Sequence, residues 1–177
     1  LASLIENMVQ LSNIRAGRHR LATEPVLVRP LVQHAIDAES RLAEDREFRT
    51  ALEPGLMLDA DPDWVDQVLR NLIHNAVKYT PDGLPIEVEA GRQDGWVEMA
   101  VRDYGPGIEA ADLPYVFERF HRSSGARRSS KPGMGLGLYL ARVVIEAHGG
   151  HIWIERPADG GLRVAFLLPA VEEDDLA

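Results

Sequence analysis

Residues 103–108 read DYGPGI and residues 133–138 read GMGLGL. Each stretch sets glycines at alternating positions with aliphatic residues beside them. Glycine at that density lets a backbone come close to something that is not protein. From Arg119 to Ile145 there is no acid, and Arg119, Arg122, Arg127, Arg128 and Lys131 fall between the two stretches. In a chain of formal net charge −9, a local basic segment fits a compact anion better than a long phosphate backbone. The overall acidity argues against general nucleic-acid binding. Taken alone, each stretch has a second reading. D-x-G-x-G also makes an Asx-type turn, and GMGLGL also makes a hinge. GMGLGL lacks the Gly-Lys-Ser/Thr of a P-loop, and its surroundings are not those of a dinucleotide fingerprint. It does precede a helical pattern, so its free amides could cradle phosphates at a helix N-terminus.

Upstream lies the most legible helix, 62–78. Asp61 is a good N-cap and Pro62 fits the first helical position. Asp63 and Asp66 suit the positive end of the dipole, and Lys78 the negative end. Val65, Val68, Leu69, Leu72, Ile73, Ala76 and Val77 form one apolar face, and YTPDG ends the helix. Asn71, Asn75 and Lys78 recur at i, i+4 and i+7 as a polar stripe beside that face. Asparagine lowers helix propensity. Two in one helix either make ordinary hydrogen bonds or offer hard oxygen ligands beside a polyphosphate, where Mg²⁺ takes one or two protein oxygens.

The remaining pattern supplies a fold. LASLIENMVQLSNIRAG carries Leu1, Leu4, Met8 and Leu11 on a heptad seam, and reads as the tail of a longer helix. LATEPVLVRP reads as linker and short strand, and PLVQHAIDAESRLAED as an amphipathic helix. FRTAL and LMLDA read as two short strands around the turn EPG. PIEVEAGR and WVEMAVRDY read as paired strands joined at QDG. EAADLPYVFERF reads as a short helical stretch, and 121–132 as a mobile polar loop. LGLYLARVVIEAHGG reads as a helix closed by Gly149. HIWIER and LRVAFLLP form a final hairpin around PADGG, followed by the acidic tail VEEDDLA. The expected architecture is a two-layer α/β sandwich, with helices on a mixed, mostly antiparallel sheet. The 177 residues are 45% hydrophobic, enough for one core, and contain no cysteine for disulfides or thiol chemistry. No apolar run approaches membrane-spanning length. The start at Leu1 reads as a piece of a longer chain.

The order NLIHNAVKYT, DYGPGI, FERFHR and GMGLGLYLARVVIEAHGG resembles the catalytic ATP-binding domain of sensor histidine kinases. These belong to an ATPase superfamily shared with gyrase, MutL and a heat-shock chaperone. The resemblance covers roughly residues 25–170 and implies the Bergerat-type ATP-binding fold. It further implies that 1–17 end a dimerisation and phosphotransfer helix hairpin, 18–24 are linker, and 171–177 are tail. It gives Asn75 the role of Mg²⁺ ligand, and places Lys78 at the phosphates and Tyr79 near the nucleoside. It gives Asp103 the adenine amino group, with Gly105, Gly107 and Ile108 beside the ring. Phe120, Arg122, Gly133, Met134, Gly135, Leu136, Gly137 and Leu138 belong to the ATP lid and its phosphate contacts. Asn71, Lys78 and Arg122 are carried over as the residues bearing on phosphoryl transfer. Met134 stands where a small polar residue is common, and Leu162 where Ser or Thr often follows Gly161.

The function implied is bacterial two-component signalling with ATP and Mg²⁺. The partners implied are the chain's own hairpin, a response-regulator receiver domain and a second copy in the full-length protein. Neither nucleic acid nor membrane is expected to touch this piece, which is expected in the cytoplasm whether or not the parent is membrane-anchored. None of His19, His34, His74, His121, His148 and His151 is followed by an acid, so the phosphoacceptor is expected upstream. A non-catalytic ATP-binding regulatory domain, and a serine kinase or ATPase of the same fold, are the alternatives. The gyrase-type ATPase uses a carboxylate where this chain has Asn71, and an amide is no base at neutral pH.

Overall fold

The carboxylate of Asp61 accepts the Trp64 N–H at 3.4 Å, and Pro62 opens the helix that organises the molecule. The structure, a computed structural model, describes residues 21–41, 45–125 and 134–171. Along these run β1 (Glu24–Leu27), α1 (Val28–Ser40), β2 (Phe48–Leu52), β3 (Met57–Ala60), α2 (Pro62–Tyr79), β4 (Ile86–Gln93) and β5 (Trp96–Asp103). A 3₁₀ turn (Leu113–Tyr115), α3 (Gly137–Ala147), β6 (His151–Glu155) and β7 (Leu162–Pro169) follow.

Five strands form one mixed sheet in the order β2-β4-β5-β7-β6, with β2 parallel to β4 and the other pairs antiparallel. Alternation along the strands sends Ile86, Val88, Val97, Met99, Val101, Val164, Phe166 and Leu168 to one face. There they meet Val65, Val68, Leu69, Leu72 and Ile73 of α2, and Leu140, Val144 and Ile145 of α3. Each such side chain contributes about 1.5–3 kcal/mol on burial. The opposite face is polar: Arg163 on β7 reaches Glu98 at 2.7 Å, Glu155 at 3.0 Å and Glu89 at 3.1 Å. This is the expected two-layer sandwich.

Some expectations give way. FRTAL and the strand within LMLDA are not partners across EPG. β3 pairs antiparallel with β1 in a separate two-stranded sheet, while β2 joins β4. Strand propensity is local but the choice of partner is not. The small sheet is tied to the large one where Val171 N–H donates to the Met57 carbonyl at 3.1 Å. The first helix starts at Val28 rather than Pro30, because proline is tolerated within a first turn whose N–H groups lack helical partners. The helical stretch in EAADLPYVFERF is the 3₁₀ turn Leu113–Tyr115, set within a run of tight turns. Asp112 N–H donates to the Glu109 carbonyl, Tyr115 to Asp112, Glu118 to Tyr115 and His121 to Glu118, all at i to i+3 spacing. Pro114 withholds one donor there, and Phe120 has a positive φ of 64°. Residues 1–20, 42–44, 126–133 and 172–177 lie outside the described residues. The heptad seam, Gly133, Arg127, Arg128, Lys131, most of the expected mobile loop and most of the acidic tail fall there.

Candidate functional site

β5 ends on Asp103, whose Oδ1 accepts the Gly105 N–H at 2.8 Å. A Cβ at Gly105 would stand 2.8 Å from the Tyr79 carbonyl oxygen and 3.1 Å from Asp103 Oδ1. The loop can lie this close to the end of α2 only without a side chain. Gly107 rests against the Gly161 carbonyl, 3.2 Å from its Cβ position, so the β6–β7 turn walls the loop on its other side. Arg102 holds that turn through Asp159 at 2.6 Å and lies over the Tyr104 ring at 4.6 Å. Burial pushes the Asp103 carboxyl above the usual carboxylate range; the Gly105 and Leu162 N–H groups and the Arg102 charge pull it partly back.

The second glycine segment meets the same helix. A Cβ at Gly137, the first residue of α3, would stand 3.5 Å from Asn75 Nδ2 and 3.9 Å from Asn71 Cβ. Asn71 Oδ1 also accepts from Gln67 at 3.4 Å. Asn75 and Tyr79 are one turn apart, about 6 Å along the axis. The two glycine segments therefore touch one side of α2 at successive turns, with Lys78 between, its Nζ 4.7 Å from the Tyr79 ring centroid. Leu136 precedes α3 and its carbonyl accepts the Leu140 N–H at 2.9 Å. Leu138 and Ile108 are partly buried against the core, and Met134 is exposed.

The chain at Phe120 and His121 lies against Gly135 of the second cluster. Gly135 has a φ of +68° and a Cβ there would overlap the His121 carbonyl. The Gly135 carbonyl accepts the Phe120 N–H at 3.0 Å. Phe120 is left-handed, which costs a residue with a side chain about 1–2 kcal/mol, and is 56% exposed. The Arg119 guanidinium sits 4.9 Å from its ring centroid. Backbone outliers of this kind collect at ligand clamps. Buried Asp112 accepts the Ser124 N–H at 2.7 Å and lies 3.6 Å from His121 Nε2. Half-buried Arg122 falls between those two contacts in the sequence.

Several contacts that clamp the helices escaped the sequence reading. His148 stands at the end of α3. It is buried, accepts the Asp61 N–H on Nε2 at 3.0 Å, and places Nδ1 2.7 Å from the Val144 carbonyl. It thereby joins the end of α3 to the start of α2. Asp66 holds His34 at 2.9 Å and Arg70 at 2.8 Å, and His74 meets Glu39 at 3.0 Å, so α1 is clamped along α2. Arg46 is buried among backbone carbonyls that follow α2. Among the described residues no cluster of three His, Asp or Glu side chains is placed to hold a metal ion. The neutral oxygens of Asn71 and Asn75 suit a Mg²⁺ ion held chiefly through phosphates. No described helix is long and apolar enough to cross a membrane.

Residues 60–172 match the family described as histidine kinase-, DNA gyrase B-, and HSP90-like ATPase. The chain is 38% identical over 170 residues to the signal transduction histidine-protein kinase AfsQ2 of Streptomyces coelicolor, covering 96% of this chain and 30% of that protein. It is 32% identical over 176 residues to the sensor histidine kinase WalK of Bacillus subtilis, covering 97% and 29%. The solved mycobacterial sensor histidine kinase MprB superposes with a TM-score of 0.75 at 30% identity, over 84% of this chain and 98% of that one. Full-length ShkA in complex with AMPPNP gives 0.81 at 25% identity, over 96% and 35%. The chain spans about a third of the length of these curated relatives.

Proposed function

The chain belongs to the histidine kinase-, DNA gyrase B-, and HSP90-like ATPase family as an ATP-binding catalytic domain of the sensor-kinase kind, and from that premise we propose that it passes the γ-phosphoryl group of ATP to a histidine outside these 177 residues. One observation carries the reading: Gly105 abuts α2 at Tyr79 while Gly137 abuts it one turn earlier at Asn75. A nucleotide lying along that side would have its base at the first cluster and its phosphates at the second.

In this reading Asp103 accepts the adenine amino group. Gly105, Gly107 and Ile108 pass the ring, and Tyr79 packs near the nucleoside. The amides of 134–138 and the start of α3 meet the phosphates, where unsatisfied N–H groups and the helix dipole favour anions. Phe120 belongs to the lid over them, and Lys78 and Arg122 supply cationic charge. Asn75 would hold Mg²⁺, which when bound neutralises charge on the transferring phosphate, and Asn71 stands one turn before it. Catalysis here is positioning and electrostatics. Asn71 cannot take a proton from water, so slow hydrolysis is expected without an acceptor. The hairpin, a receiver domain and a second copy of the parent protein are the proposed partners.

The test is incubation with γ-labelled ATP, with and without a helix hairpin bearing an acceptor histidine. Acid-labile, alkali-stable label on the hairpin alone supports the reading. Rapid hydrolysis without transfer favours the ATPase alternative. Asn75→Ala should weaken Mg²⁺-dependent nucleotide binding in a folded chain.

A further inference from the structure

After Tyr79 the chain turns so that the carbonyls of Thr80, Pro81 and Leu84 converge. They lie at the negative end of the α2 dipole and call for donors. Arg46 supplies them. Nη1 donates to the Pro81 carbonyl at 2.6 Å and the Leu84 carbonyl at 2.9 Å, and Nη2 to the Thr80 carbonyl at 3.2 Å. The Arg46 side chain is 6% exposed; the Asp82 carboxylate, 3.5 Å from Nη2, stands fully in solvent. The buried charge is thus met chiefly by carbonyl dipoles in the fixed fork geometry that guanidinium offers and ammonium does not. Arg46 is itself anchored by the parallel edge of the sheet. The Ile86 N–H donates to the Glu47 carbonyl at 2.9 Å, and Phe48 is in register with Ile86.

The residue before these carbonyls is Tyr79, whose own carbonyl oxygen stands 2.8 Å from the Cβ position of Gly105. Gly105 in turn donates to Asp103 Oδ1 at 2.8 Å. A contiguous set of contacts runs from Arg46 through the end of α2 to Gly105 and Asp103. We propose that Arg46 is a positioning residue of the nucleotide site: by gripping the carbonyls of residues 80–84 it fixes the end of α2 against which Gly105 packs, and so sets where Asp103 presents its carboxylate. It touches no nucleotide. By this route the chain just before β2, remote in sequence from the glycine segments, bears on the first of them. The functional half of the proposal rests on Asp103 reading the base; the structural half stands on the unliganded chain.

The test compares the 177-residue chain with Arg46→Met, Arg46→Lys and Asp82→Ala. Amide exchange without nucleotide is read at Gly105, and at Gly150, whose N–H donates to the Ile145 carbonyl at the far end of α3. Arg46→Met is expected to speed exchange at Gly105 at least tenfold more than at Gly150, and to lower the ATP-to-GTP affinity ratio at least threefold. Arg46→Lys should fall between Arg46→Met and wild type, and it carries the comparison if Arg46→Met does not fold. Asp82→Ala should match wild type. Equal acceleration at Gly105 and Gly150 in the Arg46 variants overturns the proposal, as does a loss in Asp82→Ala equal to theirs. A wild-type chain indifferent to ATP and GTP refutes the base-reading role of Asp103, while the exchange comparison still decides Arg46.

Discussion

His148→Phe isolates the link between α3 and α2. The ring is buried and serves two partners, the Asp61 N–H on Nε2 and the Val144 carbonyl at Nδ1. A proton on Nδ1 satisfies both. Phenylalanine is close in shape, so the change removes hydrogen bonding more than packing. The Val144 carbonyl keeps the backbone N–H of residue 148 at 3.2 Å, whereas the Asp61 N–H loses its ring acceptor. A buried donor without a partner costs about 1–3 kcal/mol. Asp61 is also the N-cap of α2, and its carboxylate takes the Ala22 N–H at 2.9 Å, so the loss falls where several contacts meet. The expected destabilisation is about 2 kcal/mol by urea titration, with an unchanged denaturant slope. In thermal unfolding it is a drop of about 4–8 °C for a domain of this size. His148→Gln, which can offer an oxygen to the Asp61 N–H, should recover part of the loss. Phenylalanine as stable as wild type within about 0.5 kcal/mol would mean that the hydrogen bonds across this junction contribute nothing net.

Gly135→Ala should lower the melting temperature and weaken Mg-ATP binding about tenfold or more, because a left-handed alanine costs about 1–2 kcal/mol and its Cβ would overlap the His121 carbonyl. Unchanged melting and affinity would refute the closure of the lid base. The raised Asp103 carboxyl gives two opposed pH dependences. Its folded value lies above its unfolded one, so its contribution to stability is present below the ordinary carboxylate range and is lost as pH rises through the folded value. Adenine binding needs the ionised form, so affinity falls as pH drops through that same raised value, and binding there releases a proton. Calorimetry in two buffers of different ionisation enthalpy reads the release, and Asp103→Asn should abolish it. Release of equal size in that variant would move the titrating group elsewhere.

What the sequence made legible was local. Asp61, Pro62 and the seven-residue apolar face define α2 because caps and 3.6 periodicity act within a few residues. The β4–β5 hairpin follows from alternation on both sides of Asp94–Gly95, where Gln93 pairs with Trp96. Each glycine segment alone also fits a turn or a hinge; the two stood out because they fall in order with NLIHNAVKYT and FERFHR. What stayed hidden depends on distant partners. β2 and β3 look alike in composition, yet one joins β4 and the other β1. His148 meets Asp61 across 87 residues, and Arg46 sits in a charged run that resembles the frayed end of an amphipathic helix. Nothing in EAADLPYVFERF announces that Asp112 will turn inward to take the Ser124 N–H. The roles given to the site residues come from the resemblance; the structure adds that one helix stands against both glycine segments, an arrangement no single motif contains.

In the proposed site the first glycine cluster and Asp103 read an adenine base. Calorimetric titration of the 177-residue chain with Mg-ATP and Mg-GTP tests it most directly. Guanine presents a carbonyl where adenine presents its amino group, so Asp103 would face an acceptor. An unsatisfied pair of this kind costs about 1–3 kcal/mol. One site is expected, binding ATP at least tenfold more tightly than GTP; equal affinity for the two nucleotides would contradict a base-reading Asp103.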